Sequence, residues 1–261
     1  MVGMDRLPAH ESEHTVEWLK QTGQTSGFVT GFDPDGWPAN AWLLHAMYQN
    51  QALAGLGTHH DARRSAIDRG AVEPVIIGEV DLDASSTVTG VPLGYVARPD
   101  ANWERLRWRE YLEQTGDPLE SLHDVPPSTQ WFPRGSWPVS ISPPPEGSLD
   151  EVTWSALIDV LVEATTVGQE CYAFYGSLPS RDFEAVEVWR GPVKSLGTVL
   201  ESSRHDFTPT NVWAVDRSWF VYTDYDLLAT KISGPRLLID RLMSRPDVEA
   251  VFWKRSAEGY S

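Results

Sequence analysis

A single cysteine, Cys171, stands among the 261 residues, so no disulfide can close within the chain. A disulfide scaffold is excluded, and a reducing, cytoplasmic setting is the expectation. Positive charge is scarce: 21 Lys and Arg face 37 Asp and Glu, for a formal net charge of −16. Nucleic-acid binders gain affinity by neutralising phosphates, and anionic membranes attract basic segments. Here the field has the wrong sign for both, and no Lys/Arg-rich run offsets it. Long apolar runs are missing too. Stretches such as Val75-Ile76-Ile77 are far too short to span a bilayer. The segment from Met1 to His14 has no apolar run of the kind a signal peptide carries. There is no P-loop, no G-x-G-x-x-G, no G-x-S-x-G and no paired-cysteine metal site. No cofactor is therefore expected.

What is present is the balance of a globular protein, 41% hydrophobic and 22% charged. Prolines 118, 126, 127, 133, 138, 143, 144 and 145 crowd the stretch 118–147. Proline fixes φ and lacks a donor, so this stretch should be neither helix nor central strand. Trp131, Phe132, Trp137, Val139 and Ile141 punctuate it and would seek burial, which predicts an ordered strap. Ser148-Leu149-Asp150-Glu151 reads as a capping box opening a helix over 148–166, with Leu149, Val152, Leu157, Leu161 and Ala164 at helical spacing. Cys171–Tyr175, Ala185–Trp189, Trp219–Thr223 and Val248–Trp253 read as strands, and Pro235 opens a helix carrying Leu238 and Leu242. In the first half, helices are expected over 12–22 and from Trp103 to Gly116, a polar helix or loop over 59–69, and one strand at Val75–Val80. Trp42–Tyr48 fits neither period. Strands mixed with isolated helices, without regular βαβ alternation, predict an α+β fold. The expected organisation is two small modules with antiparallel sheets and flanking helices, 1–117 and 148–261, joined by the strap at 118–147.

Candidate chemistry is sparse. His10-Glu11-Ser12-Glu13-His14 matches the HExxH pattern, in which two histidines share a helix face and can hold zinc. A metal-dependent hydrolase using His10 and His14 is one reading; an exposed charged turn is the other, since no third ligand stands out. His59-His60-Asp61 is a second such cluster, with helix capping as its plainer reading. Asp224-Tyr225-Asp226, like Asp81-Leu82-Asp83 and Asp33-Pro34-Asp35, places two carboxylates where a hard cation could bind, or where a turn needs them. Asp216-Arg217 could orient an anionic ligand group, or Arg217 could stack on Trp213 or Trp219. Twelve tryptophans are many for this length. Trp37, Trp131, Trp137 and Trp213 fall in turns or in the strap, where indoles serve either as interface anchors or as staples. They could also line a carbohydrate or small-ligand site.

The stretches Ser136–Ile141 and Pro143–Asp150, with Val212–Trp219 and Ile232–Gly234, resemble a set of acidic, Trp-rich hypothetical proteins of actinobacteria. In composition the chain is also similar to the immunity proteins of bacterial polymorphic toxin systems. That resemblance implies a non-catalytic, cytoplasmic protein-binding module that masks a basic partner with carboxylates and aromatics. The candidate binding residues on this reading are Trp37, Trp131, Trp137, Trp213, Asp216, Arg217, Asp224 and Asp226.

Overall fold

Period-two alternation governs the largest part of the fold. The computed structural model describes residues 3–21, 32–116, 135–166, 168–176, 186–203 and 205–253. The first half supplies β1 (Asp5–Arg6), α1 (Ala9–Gln21), β2 (Ala39–Leu44), β3 (Met47–Gln49), α2 (His59–Asp68), β4 (Ile76–Ile77), β5 (Val80–Asp81), α3 (Leu82–Ser85), β6 (Glu104–Leu106) and α4 (Trp108–Thr115). The second supplies β7 (Ile141–Ser142), α5 (Glu151–Ala164), β8 (Glu170–Tyr175), β9 (Glu187–Pro192), α6 (Thr198–Ser203), β10 (Asn211–Ala214), β11 (Phe220–Thr223), β12 (Ala229–Gly234), α7 (Arg236–Ser244) and β13 (Ala250–Phe252).

Eight strands form one antiparallel sheet in the order β1-β9-β8-β10-β11-β12-β2-β13. Cys171, Ala173 and Tyr175 of β8, Val212 and Ala214 of β10, Val221 of β11, Ile232 of β12 and Ala41 and Leu43 of β2 point to one face. Leu157 and Leu161 of α5 and Leu238 and Leu242 of α7 cover that face. On the other face Phe174, Trp213, Phe220 and Tyr222 meet Val16 and Leu19 of α1. Farther along it, Trp42 and Leu44 meet Met47, Leu106, Trp108 and Tyr111, from the three-stranded sheet β6-β3-β7 and α4.

The α+β class is thus as expected, but the sheet does not follow the boundary at 118–147. Strand β1 pairs with β9, and β2 lies between β12 and β13. The reason is legible in β2 itself. Its Ala41-Trp42-Leu43-Leu44 run is apolar on both faces, and such a strand needs cover on both sides. Only a central place in the shared sheet supplies it. Of the strap, 135–147 is described and is packed inward: Trp137 is buried and stacks on Tyr111 at 4.8 Å, and Pro143, Pro144 and Pro145 are buried.

Other boundaries move for local reasons. Helix α5 is capped by Asp150, whose carboxylate accepts from the Val152 and Thr153 amides, rather than by Ser148. The Ser148 hydroxyl is held by Thr208 instead, and the Glu151 carboxylate accepts from the Arg98 amide. Ambiguous Trp42–Tyr48 holds the end of β2 and the start of β3, a break between two sheets. Helix α4 stops where expected, at Gly116, whose φ of 78° is left-handed. Val75–Val80 is not one strand but a hairpin, with Gly78 at φ 61° in its two-residue turn. Among the described residues no helix is long and apolar enough to cross a membrane.

Candidate functional site

The residues singled out by sequence fall into three places. Trp213 is buried in the second face, with Trp18 edge-on at 5.9 Å, and Trp37 stacks on Phe220 at 5.2 Å while donating its indole N–H to the Arg217 carbonyl at 3.0 Å. Arg217 itself sits at φ 57° in the β10–β11 turn and lays its guanidinium over Trp18, 4.3 Å from the ring centre. The expected stacking partners were Trp213 or Trp219; the partner is instead Trp18 of α1, which sequence separation hid. Asp216 accepts from the Ser218 amide, and hydrogen bonding by the Ser218 side chain above all, then by that amide, holds its carboxyl below the usual range. These residues staple α1 and the 32–38 loop to the sheet. Trp137 and Trp213 do not face solvent, so they are not available as exposed anchors. Trp131 lies outside the described residues.

His10 and His14 project from α1 with side chains 82% and 87% exposed, each beside a glutamate. Among the described residues no three His, Cys, Asp or Glu side chains converge as a metal site.

Asp224 and Asp226 are brought together, at the turn before β12. The Tyr222 hydroxyl donates to Asp224 Oδ2, and Lys231 in the same neighbourhood is buried with both oxygens of Asp33 at 2.8 and 2.9 Å. Gly147 allows the close approach that seats this turn: at φ 72°, a Cβ there would lie 2.7 Å from the Tyr225 Cα. Burial, then the adjacent Asp224 charge and hydrogen bond, push the Asp226 carboxyl from the ordinary 3.8 up to about 6. The folded chain thus holds a proton between those two values that the unfolded chain has released. Above pH 6 the ionised Asp226 costs stability, and the cost fades as pH falls toward 3.8. Asp226→Asn is expected to add about 1 kcal/mol, or about 3 °C in Tm, at a pH of about 7.5, the half-exposed carboxylate being screened by solvent. By a pH of about 4 the gain should be gone. Thermal melts of the two proteins at both pH values check this; a gain independent of pH would disprove it.

The feature that sequence reading missed is the excursion between β3 and β6. Neither α2 nor α3 buries a single residue. Polar cross-links hold this region in shape. Arg63 grips both oxygens of Asp83 at 2.9 Å, Asp83 also accepts from the Val75 amide at 2.8 Å, and the His59 and His60 amides donate to the Trp137 carbonyl and the Ser136 hydroxyl. On this frame the β4–β5 hairpin stands out into solvent. Ile76 and Ile77 are 61% and 64% exposed, and Val72, Val75 and Val80 are exposed beside them. Among the described residues, five of eleven large exposed hydrophobic side chains come from this one segment. Around it, residues 59–83 carry six carboxylates against three arginines. At the hairpin's base lies a cavity of about 400 Å³ lined in part by His60, Arg64, Asp68, Asp81, Ser85 and Ser86. The signal in the sequence is Gly78-Glu79 between Ile76-Ile77 and Val80, which marks a hairpin turn when read as Gly-X rather than as a strand interior.

In comparison with known proteins, no family model, no curated protein and no solved structure matches the chain.

Proposed function

We propose that the chain is a non-catalytic protein-binding module that docks a basic partner through the β4–β5 hairpin. The carrying observation is the cluster of exposed Val and Ile side chains on an acidic frame, in a fold that buries most of its other large apolar groups. A contiguous exposed apolar patch with a polar rim is the mark of an interaction surface. The net charge of −16 favours encounter with positive surfaces and repels acidic ones. A cytoplasmic immunity protein masking a basic toxin is the biological setting that this chemistry fits. The apolar anchors are aliphatic and lie on the hairpin, in place of the loop indoles.

Photocrosslinkers placed at Ile77 and, as a control, at the equally exposed Leu237 of α7 test the reading in the cell of origin. Position 77 should capture a protein with a basic surface, and 237 should not. Paired Ile76→Ser and Ile77→Ser changes should weaken binding of the captured protein at least about tenfold, since each buried isoleucine contributes about 1.5–3 kcal/mol. The fold should be untouched, because neither side chain is buried. An acidic captured partner, or equal capture from both positions, would reject the proposal.

A further inference from the structure

We infer that the cavity at the base of the hairpin is a socket for a basic side chain of the partner, a guanidinium above all. This rests on the protein-binding reading for its purpose, while its chemistry can be tested alone. Hydrogen-bond acceptors and donors around the cavity are out of balance. Of the carboxylates lining the cavity, Asp83 is already occupied by Arg63 and the Val75 amide. Asp81 uses Oδ1 to cap α3 through the Ala84 amide, which leaves Oδ2 without a bond among the described residues. Asp68 makes no hydrogen bond or ion pair among them. The Ser85 and Ser86 hydroxyls donate to the carbonyls of Asp81 and Leu82, so their lone pairs stay open as acceptors.

Two donors stand against these. Arg64 lines the cavity without an ion pair among the described residues, and His60 accepts the Val88 amide at Nδ1, which leaves its Nε2 side to the cavity. Acceptors are in excess. The end of α2 sharpens the bias. Ile67 and Asp68 bring its C-terminal turn to the cavity, and that turn holds no basic residue. Helix carbonyl ends carry partial negative charge, and a lysine or arginine commonly offsets it. Here Asp68 adds to it on the cavity side, and Arg69, the cap residue that follows, is not among the residues lining the cavity. The missing cation is one a partner could bring, and about 400 Å³ falls within the range of clefts that hold a small ligand or a side chain. A guanidinium suits the site better than an ammonium, because its planar fork reaches several acceptors at once.

The test uses the full chain and N-acetylarginine methylamide, followed by amide NMR shifts. Saturable shifts are expected at His60 and at Ser85, Ser86 and Thr87. The lysine analogue should bind more weakly, and the glutamate analogue not measurably. Combining Asp68→Asn with Asp81→Asn should weaken arginine binding at least about fivefold, since asparagine keeps the cap of α3 but removes the charge. Ile76→Ser with Ile77→Ser should leave arginine binding intact. Absence of saturable shifts, preference for the glutamate analogue, or indifference to the Asp68 and Asp81 changes would each overturn the socket. Arginine binding in a protein whose hairpin variants still hold the partner would refute the docking reading alone.

Discussion

Asp150→Ala should cost about 3–4 kcal/mol of folding stability, more than any surface change in this chain. Asp150 has no solvent exposure, yet its carboxylate accepts four hydrogen bonds. The Val152 and Thr153 amides cap α5 at 3.0 and 3.1 Å, the Thr153 hydroxyl adds a third at 2.6 Å, and the Ala46 amide reaches it from the end of β2 at 3.2 Å. Loss of a cap alone costs about 1–2 kcal/mol. The Ala46 N–H would then be buried without a partner, which adds about 1–3 kcal/mol. Asparagine separates the two contributions. Its Oδ1 can still cap the helix, but its Nδ2 would set a donor against Ala46 or Thr153, so Asp150→Asn should lose less than alanine and still more than a surface change. Urea unfolding with an unchanged m-value is the measurement; a loss under about 1 kcal/mol for alanine would show that the carboxylate does not tie α5 to β2.

This pin also explains what the sequence could and could not disclose. The strands with apolar residues on both faces, such as Cys171-Tyr172-Ala173-Phe174-Tyr175, declared themselves because burial on both sides leaves no polar alternation to confuse the pattern. The helix near 150 was legible from the spacing of Val152, Leu157 and Leu161, but its cap was assigned to the wrong residue. Ser148 fits a capping box by local spacing, and nothing local shows that Thr208 takes its hydroxyl from 60 residues away. Long-range pairing hid the topology in the same way. No local feature of β2 says that its neighbours are β12 and β13. The site was obscured for a different reason. Loop tryptophans look like anchors because indoles suit both interfaces and cores, and in this chain Trp137 and Trp213 went to cores. Val75–Val80 reads as one strand because aliphatic runs are usually inside, yet Val75, Ile76, Ile77 and Val80 are all exposed.

Acidification should remove about 3 kcal/mol of stability between pH 6.5 and pH 4 through one residue, His45. Its ring has no exposure and hangs in a hydrogen-bonded chain. The Pro145 carbonyl can only accept, so at 2.6 Å it fixes the proton on Nδ1. Nε2 therefore accepts from the Thr230 hydroxyl at 3.0 Å, and Thr230 in turn accepts from Thr223 at 2.7 Å. Burial lowers the imidazole from the ordinary 6.5 to about 4, against the raising effects of the Pro145 bond and the Asp150 charge. Above 6.5 both states are neutral at this residue and its contribution is fully present. As pH falls toward 4 the unfolded chain takes up a proton that the folded chain refuses, and the balance tilts toward unfolding. Asp226 works in the opposite direction over much of the same range, because its folded form holds a proton from about 6 downward. The two slopes partly cancel in the natural chain, so Asp226→Asn should expose the His45 slope in full. Urea midpoints across the range, with the His45 ring followed by NMR, would show a ring that stays neutral at pH 5 and a steeper decline in the Asp226→Asn protein. A His45 ring protonated at pH 6 would mean that water reaches the seam between β2 and β12, and the network of His45, Thr230 and Asp150 would no longer account for how the two halves of the chain are joined.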